Sequence, residues 1–397
     1  MVMYYICEMI KRKTIIQVLL KEFPAVVILG PRQVGKSTLA KEALAKTKKP
    51  TIFLDMELNS DRAKLEDAET YFELHRDKRI IIDEVQLMPS IFTVLRPEID
   101  AYRKPGRFIL TGSANPTLIK DIAETLAGRV AYMPLTPFTI DEVVGTKYSL
   151  QRHWFRGGYP DAFLAKSDEA YHRWMENYIE TFVQRDLQKL FDINLSPQLT
   201  RSIWTMIANN NGGILNTENY ARAVGVSSPT VKKYLNFLEG AFLIRQLQPW
   251  YYNADKRMVK SPKIYIRDTG VLHHFTNISN MVNLTGNITI GASWEGYVIE
   301  EIIRHLPPSI DAYYYRTHHG AEADLILAKN NKPVACLEVK HSKSPVVSSG
   351  FYNVIEDLAT TQNFIIYTGE DKYFTKNKIL VVGLIEFIAK ELKKVVK

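Results

Sequence analysis

The sequence has 397 residues, 46% of them hydrophobic, which is enough for two or three domains that each bury a core. The formal net charge of +8 favours a polyanionic partner, although charge alone identifies none. Only Cys7 and Cys336 are available, which excludes a disulfide framework and suits a reducing, cytoplasmic environment. No apolar run in the sequence reaches the roughly 18 residues of a membrane span, so we expect no membrane partner.

The first feature along the chain is a phosphate-binding loop. Residues 25–29 predict a buried parallel strand, residues 37–44 predict a helix, and GPRQVGKST at residues 30–38 lies between them. Glycines in the GxxxxGKS pattern let backbone N–H groups surround a β-phosphate at a helix N-terminus. The predicted ATP-binding residues are Gly30, Pro31, Arg32, Gln33, Val34, Gly35, Lys36, Ser37 and Thr38. Lys36 would neutralise the β- and γ-oxygens, and the Ser37 hydroxyl would hold Mg²⁺.

Two further apolar segments complete the predicted nucleotide site. The first ends in Asp83 and Glu84, of which Asp83 would bind the water shell of Mg²⁺ and Glu84 would act as general base on the attacking water. The second runs from residue 107 and ends in small polar side chains. We expect Ser113 to sense the γ-phosphate, with Asn115 as the second candidate. The alternative is that either side chain only caps the next helix.

Taken together, several motifs resemble the AAA+-like ATPases of bacteria and archaea that carry an uncharacterised C-terminal domain. The matching segments are GPRQVGKST (30–38), IIIDEVQ (80–86), FILTGSAN (108–115), LAGR (126–129), GGYP (157–160), RDL (185–187) and KSPKIYIRDTG (260–270). The resemblance implies an α/β chain with a P-loop NTPase core, a winged helix-turn-helix and a restriction-endonuclease-like α/β domain. We place the core at residues 1–140, a helical linker at 141–194, the winged helix at 195–268 and the nuclease-like domain at 269–397.

The same resemblance implies that the chain assembles with itself. In oligomeric ATPases of this type an arginine from one subunit reaches the γ-phosphate of the next, and Arg129 matches that position in the LxGR pattern. We therefore expect a homo-oligomer, with a hexameric ring as one such assembly. The alternative for Arg129 is a surface ion pair at the end of a helix.

A helix-turn-helix pattern follows in the middle of the chain. Residues 216–238 predict a helix, a glycine-containing turn and a second helix that buries Val231, Leu235 and Leu238. Two strands after it would form a wing. The predicted DNA contacts are Ser228, Thr230, Lys232, Lys233, Arg245, Lys256 and Arg257. The alternative is a lid or a protein contact, which winged helices also provide.

The last predicted domain carries acidic residues at the spacing of PD-(D/E)XK nucleases. Asp324 begins one predicted strand, and Glu338 and Lys340 end the next. Alternate residues of a strand share a face, so Asp324 and Glu338 could chelate Mg²⁺, joined by Glu295 from a preceding helix. Lys340 would orient the attacking water. The alternative is a binding module with a relict site.

Two functions are therefore compatible with the sequence. The first is an ATPase that remodels or translocates on DNA, using ATP and Mg²⁺ as cofactors, with metal-dependent DNA cleavage as an added activity. The second is a nucleotide-gated switch that acts on a protein partner and tolerates slow hydrolysis. We favour the first, because the helix-turn-helix and the nuclease-like segment independently indicate nucleic acid.

Overall fold

The computed structural model describes residues 10–45, 49–113, 122, 124–186, 195–251 and 258–397, which form two compact units. The first unit contains the described residues up to Phe138 together with residues 185–186 and 240–242. The second contains the described residues of 139–184, 195–239 and 243–397. Among all of these, no helix is long and apolar enough to cross a membrane.

The first unit is built on a five-stranded sheet in the order β2-β3-β4-β1-β5. Its strands are β1 (Ala25–Gly30), β2 (Thr51–Asp55), β3 (Arg79–Asp83), β4 (Phe108–Ser113) and β5 (Val130–Pro134). All the pairings are parallel, which confirms the predicted parallel sheet. The carboxyl ends of the strands therefore meet at one edge, where Gly30 of β1 pairs with Ser113 of β4.

Helices cover this sheet because its central strands are apolar on both faces. They are α1 (Ile16–Glu22), α2 (Lys36–Ala45), α3 (Asn59–Lys64), α4 (Ala68–Leu74) and α5 (Ile91–Ala101), with a 3₁₀ turn at Val85–Leu87. Every residue of β1, β3 and β4 is buried. One core cluster joins Phe72 of α4, Leu95 of α5 and Phe108 of β4, so this packing fixes the sheet that carries the phosphate-binding loop.

The second unit begins with helices. They are α6 (Ile140–Val143), α7 (Leu150–Arg156), α8 (Pro160–Phe163), α9 (Asp168–Thr181), α10 (Pro197–Asn209), α11 (Thr217–Val224) and α12 (Ser228–Gly240). The predicted helix-turn-helix corresponds to α11 and α12, and Gly225 between them has a φ of +71°, the left-handed conformation that ends many helices. The strands β6 (Ile244–Leu247) and β7 (Lys263–Ile266) then pair antiparallel. That this region is a winged helix stays a prediction.

The same unit ends in a six-stranded mixed sheet in the order β12-β13-β11-β10-β9-β8. Its strands are β8 (Ile310–Arg316), β9 (Glu322–Lys329), β10 (Lys332–Lys340), β11 (Gln362–Tyr367), β12 (Tyr373–Phe374) and β13 (Leu380–Gly383). The helices of this part are α13 (Thr269–Phe275), α14 (Met281–Thr285), α15 (Ile290–Arg304), α16 (Ser349–Leu358), α17 (Leu384–Glu386) and α18 (Leu392–Val395). The α/β character agrees with the expected fold class, and the nuclease-like identity stays a prediction.

Two of the motifs that carry the family resemblance pack against each other. Gly157 has a φ of +70°, and a Cβ atom there would lie 2.1 Å from Oδ1 of Asp268. The Gly158 amide donates a 2.8 Å hydrogen bond to Oδ2 of the same carboxylate. A Cβ atom at Gly270 would likewise lie 2.2 Å from the Arg156 carbonyl oxygen. These glycines therefore serve the packing of the second unit.

Candidate functional site

The loop between β1 and α2 has the backbone that its glycines predict. Gly35 has a φ of +90°, which residues with a Cβ atom rarely adopt. Gly30 is required for a different reason, because a Cβ atom there would lie 2.0 Å from the Leu135 carbonyl oxygen. Gln33 also has a positive φ, of 62°. All nine predicted ATP-binding residues lie in this loop and in the first turn of α2, with Arg32 paired to Glu57 at 3.4 Å.

The ammonium group of Lys36 is buried, and no carboxylate of the described residues is hydrogen-bonded to it. Its Nζ donates to the carbonyl oxygens of Gly30 at 3.3 Å and Pro31 at 2.8 Å. Burial lowers the pKa of Lys36 to about 8, against the opposing charges of Glu84 and Asp83. A buried cation with only neutral hydrogen-bond partners is well suited to an anionic ligand such as the phosphates of a nucleotide.

Asp83 lies at the centre of the polar contacts at this edge of the sheet. Ser37 Oγ donates to its Oδ1 at 3.0 Å, and the buried Thr111 hydroxyl donates to the same oxygen. Thr111 Oγ1 also accepts a 3.3 Å hydrogen bond from the Glu84 amide. Thr111 was missed in the sequence, although it lies two residues before Ser113 on β4 and therefore shares a face with it.

Glu84, the predicted general base, is held in a left-handed backbone conformation with φ 52° and ψ 48°. Such conformations are uncommon for residues other than glycine and cluster at functional sites. The Gln86 side-chain amide donates to the Glu84 carboxylate. The backbone and the side chain of Glu84 are thus both restrained. Gln86 is the second residue, after Thr111, whose contact with the site was missed in the sequence.

Ser113, the predicted phosphate sensor, has a buried hydroxyl. The side chain is 2% exposed, and its Oγ has no hydrogen-bond partner among the described residues. An unpaired buried hydroxyl costs on the order of 1–3 kcal/mol, a penalty that a ligand oxygen would remove. Together with Lys36, this side chain makes the edge a fitting site for a nucleotide phosphate. The second candidate, Asn115, lies outside the described residues.

Arg129 is paired within its own unit. Its Nε and Nη2 atoms donate to the two carboxylate oxygens of Asp100, each at 2.7 Å. Arg129 directly precedes β5, whose first residue, Val130, pairs with Ala25 at the start of β1. It therefore lies at the edge of the sheet opposite the phosphate-binding loop. This pairing is the alternative that the sequence left open, and a role towards a neighbouring subunit stays a prediction.

The helix α12 has the two faces that its sequence predicts. Val231, Leu235 and Leu238 are buried, whereas Lys232 and Lys233 are exposed. Of the other predicted contacts on this helix, Ser228 and Thr230 are half-buried. The predicted contacts Lys256 and Arg257 lie outside the described residues.

Arg245 differs from its predicted role as an exposed DNA contact. Its Nε donates to Oε2 of the buried Glu300 at 2.7 Å, and Arg267 Nε donates to Oε1 of the same carboxylate at 2.7 Å. Arg304 Nε lies 3.4 Å from that carboxylate. Although burial opposes it, the charge of these three guanidinium groups holds the pKa of Glu300 well below its usual range. The Arg245 side chain therefore takes part in an internal ion cluster.

An acidic cluster forms in the second unit, but a lysine lies at its centre. Lys263 Nζ is 3.0 Å from Glu322 Oε1, 3.1 Å from Glu295 Oε1 and 3.4 Å from Asp324 Oδ1. Glu295 and Asp324 were predicted to come together, and they do so around this ammonium group. In the sequence Lys263 belonged to the KSPKIYIRDTG motif and to a predicted wing strand, and its contact with Glu295 was missed because a separation of 32 residues gives no local signal.

The other two predicted nuclease residues pair with each other. Lys340 Nζ lies 2.8 Å from Glu338 Oε1, as expected for alternate residues on one face of β10. Among the residues that the structure describes, no three or more His, Cys, Asp or Glu side chains are arranged to hold a metal ion. Among the described residues the predicted metal group of Glu295, Asp324 and Glu338 is therefore not assembled; Lys263 lies beside Glu295 and Asp324, and Lys340 pairs with Glu338.

Comparison with protein families matches three consecutive parts of the chain. Residues 22–144 match the AAA domain family, residues 147–282 match a domain of unknown function (DUF8612), and residues 290–387 match another (DUF4143). The first match and the geometry of the loop agree that the first unit carries an AAA-like P-loop ATPase domain. Such domains bind nucleotides, typically with Mg²⁺.

Among whole proteins, the chain is 36% identical over 359 residues to the uncharacterized protein Rv2008c of Mycobacterium tuberculosis, a match that covers 90% of this chain and 80% of that protein. An uncharacterized protein of Haemophilus influenzae is 22% identical over 281 residues, covering 62% of this chain and 68% of the other. Among solved structures, the Walker-type ATPase paby2304 of Pyrococcus abyssi is 18% identical, with a TM-score of 0.44 and coverage of 66% of this chain and 93% of that one. The Thermotoga maritima RuvB Holliday junction branch migration motor is 18% identical, with a TM-score of 0.28 and coverage of 56% and 81%.

Proposed function

Because this chain belongs to the family of the mycobacterial protein Rv2008c and has an AAA domain, we propose that it is an ATPase that binds DNA and couples ATP hydrolysis to DNA remodelling. The observation that carries the proposal is the convergence of Lys36, Asp83 and Glu84 with two buried hydroxyls at the carboxyl edge of the parallel sheet. This is the composition that phosphoryl transfer to water requires.

Each side chain of the nucleotide site has a distinct role in the proposal. Lys36 and Ser113 would bind phosphate oxygens, and Ser37 and Asp83 would hold Mg²⁺, which neutralises phosphate charge when bound. Glu84 would accept the proton of the attacking water, and the restraint on its backbone would keep it in position.

The DNA part of the proposal is supported by the exposed lysines of α12. Lys232 and Lys233 lie on the face opposite the buried Val231 and Leu235, at a position typical of a recognition helix. If these two lysines contact phosphates, replacing both should reduce the steepness of log affinity against log salt concentration by about 2. DNA cleavage is not part of the proposal, because Lys340 and Glu338 are paired with each other.

The first test is steady-state ATP hydrolysis with Mg²⁺, alone and titrated with single-stranded, duplex and branched DNA. The Lys36→Ala chain supplies the blank, because it lacks the phosphate-binding ammonium. We expect one DNA form to stimulate hydrolysis. Wild-type hydrolysis no faster than the blank would refute the ATPase itself, and hydrolysis indifferent to all three DNA forms would refute its coupling to DNA.

The second test measures DNA binding by fluorescence anisotropy at several salt concentrations. The chain with Lys232→Glu and Lys233→Glu should bind more weakly and with a flatter salt dependence. The matched control carries Lys332→Glu and Lys343→Glu, which change the net charge equally at two other exposed lysines. If both double variants lose affinity to the same extent, net charge rather than α12 explains the binding.

A second candidate function is a nucleotide-gated switch that acts on a protein partner. It is favoured by the pairing of Arg129 with Asp100, because a fast motor needs an arginine that reaches the γ-phosphate of a neighbouring subunit. In this case ATP turnover would be slow, and no DNA would change it. The DNA titration above therefore separates the two candidates.

A further inference from the structure

Strand β7 places Lys263 beside the acidic cluster. Lys263 pairs with Leu247 of β6 on one side and forms a bridge with Ile214 on the other. Its side chain is 3% exposed. The backbone pairing therefore holds the start of the side chain beside the carboxylates, and burial leaves the ammonium group little contact with solvent.

The oxygens around Lys263 are also engaged by other donors. Tyr265, two residues further along β7, donates a 2.6 Å hydrogen bond from its hydroxyl to Glu295 Oε1. The Val339 amide donates a 2.8 Å hydrogen bond to Asp324 Oδ2. Glu295 and Asp324 are thus held in place by neutral donors as well as by the lysine, which is the support that metal-binding carboxylates usually receive from their surroundings.

Lys263 is the basic group at the centre of the three carboxylates. Its Nζ lies 3.0–3.4 Å from all three carboxylates, and Glu322 also pairs with Arg316 at 3.5 Å. The ammonium group of Lys263 therefore occupies the position that a bound cation would take among these carboxylates.

We propose that Lys263 takes the place of a divalent metal ion among Glu295, Glu322 and Asp324. The folded chain then binds no divalent cation at this cluster, and the second unit does not hydrolyse DNA by metal-assisted chemistry there. Conversely, a chain without this ammonium group gains a cation site, since three carboxylates in one place are hard oxygen ligands for Mg²⁺, Mn²⁺ or Ca²⁺. The proposal goes beyond the proposed function and depends neither on ATP hydrolysis nor on DNA binding.

The test counts bound Mn²⁺ by electron paramagnetic resonance in the full chain without nucleotide. Three chains are compared: wild type, Lys263→Met, and Lys263→Met combined with Glu295→Gln and Asp324→Asn. We expect Lys263→Met to bind one more Mn²⁺ than wild type, at least tenfold more tightly than the triple variant. A folded Lys263→Met chain that binds no more Mn²⁺ than wild type overturns the proposal.

A fourth chain decides the question if Lys263→Met does not fold. Wild type and Asp324→Asn are then compared directly, because both keep the lysine. Equal Mn²⁺ binding in the two supports the proposal, since the cluster contributes no site in either. An Mn²⁺ ion bound by wild type and lost in Asp324→Asn overturns it, because the metal would then bind beside Lys263 or displace it.

Discussion

Replacing Thr111 by valine tests whether the Thr111 hydroxyl positions Asp83 and Glu84. Valine keeps the shape of the buried side chain but removes the bond to Asp83 and the acceptor for the Glu84 amide. A hydrogen bond to a charged group contributes about 1.5–3 kcal/mol. If the whole of this free energy stabilises the transition state, kcat should fall by about 10- to 150-fold.

The KM for ATP should change much less than kcat in the same variant. Among the described residues, the Lys36 ammonium bonds to Gly30 and Pro31, whereas the Thr111 hydroxyl bonds to Asp83 and the Glu84 amide. A coupled steady-state assay measures both constants, and urea unfolding shows whether the fold is retained. Thr111→Ser is the matched control, because it restores the hydroxyl and should recover most of the rate. Valine turnover within about twofold of wild type, or serine turnover as slow as valine, would refute a positioning role.

Three other predictions concern the stability of the fold and the role of Arg129. Gly157→Ala should lower the free energy of unfolding in urea by at least about 2 kcal/mol, because φ is positive there and the new Cβ meets Asp268. Burial lowers the pKa of His273 to about 4 from its usual 6.5, so the unfolded chain binds the proton first as the pH falls. The free energy of unfolding should therefore drop by up to about 3 kcal/mol between pH 6.5 and 4. The His273→Gln variant, measured by the same urea unfolding, should lack this part of the pH dependence. Arg129→Ala and Asp100→Ala should each change stability little, because exposed ion pairs contribute weakly, and should leave ATP turnover within about twofold. A loss of turnover confined to Arg129→Ala would instead indicate an arginine that acts on the nucleotide.

The nucleotide site could be predicted from sequence because its signals are local. The strand, loop and helix around Lys36 are continuous in the chain, and the apolar segment before Asp83 marks a buried strand by itself. The roles of Thr111 and Gln86 were missed since nothing in the local pattern specifies a side-chain hydrogen bond to an acid. The Thr111 contact depends on the strand order, which only the folded sheet provides, whereas the Gln86 contact depends on the local backbone after β3.

The basic residues of the second unit could not be assigned in the same way. Arg245 was predicted to contact DNA because it is one of the basic residues of the predicted wing, but its partner Glu300 is 55 residues away. Lys263 likewise lies on a strand predicted for a wing, yet all its carboxylates belong to later elements. A charge in a sequence gives no sign of whether it will meet solvent or an opposite charge, so these two positions required the tertiary structure.

The two ion clusters of the second unit have one element in common. Helix α15 contributes Glu295 to the lysine cluster and Glu300 to the arginine cluster. Lys263 of β7, Arg245 of β6 and Arg267 after β7 pair with these glutamates, and Arg304 of α15 itself also pairs with Glu300. Leaving one charge of a buried pair without its partner costs on the order of 3–5 kcal/mol. Movement of the β6–β7 pair away from α15 would leave several such charges unpaired at once. We therefore expect the β6–β7 pair and α15 to move together as one body.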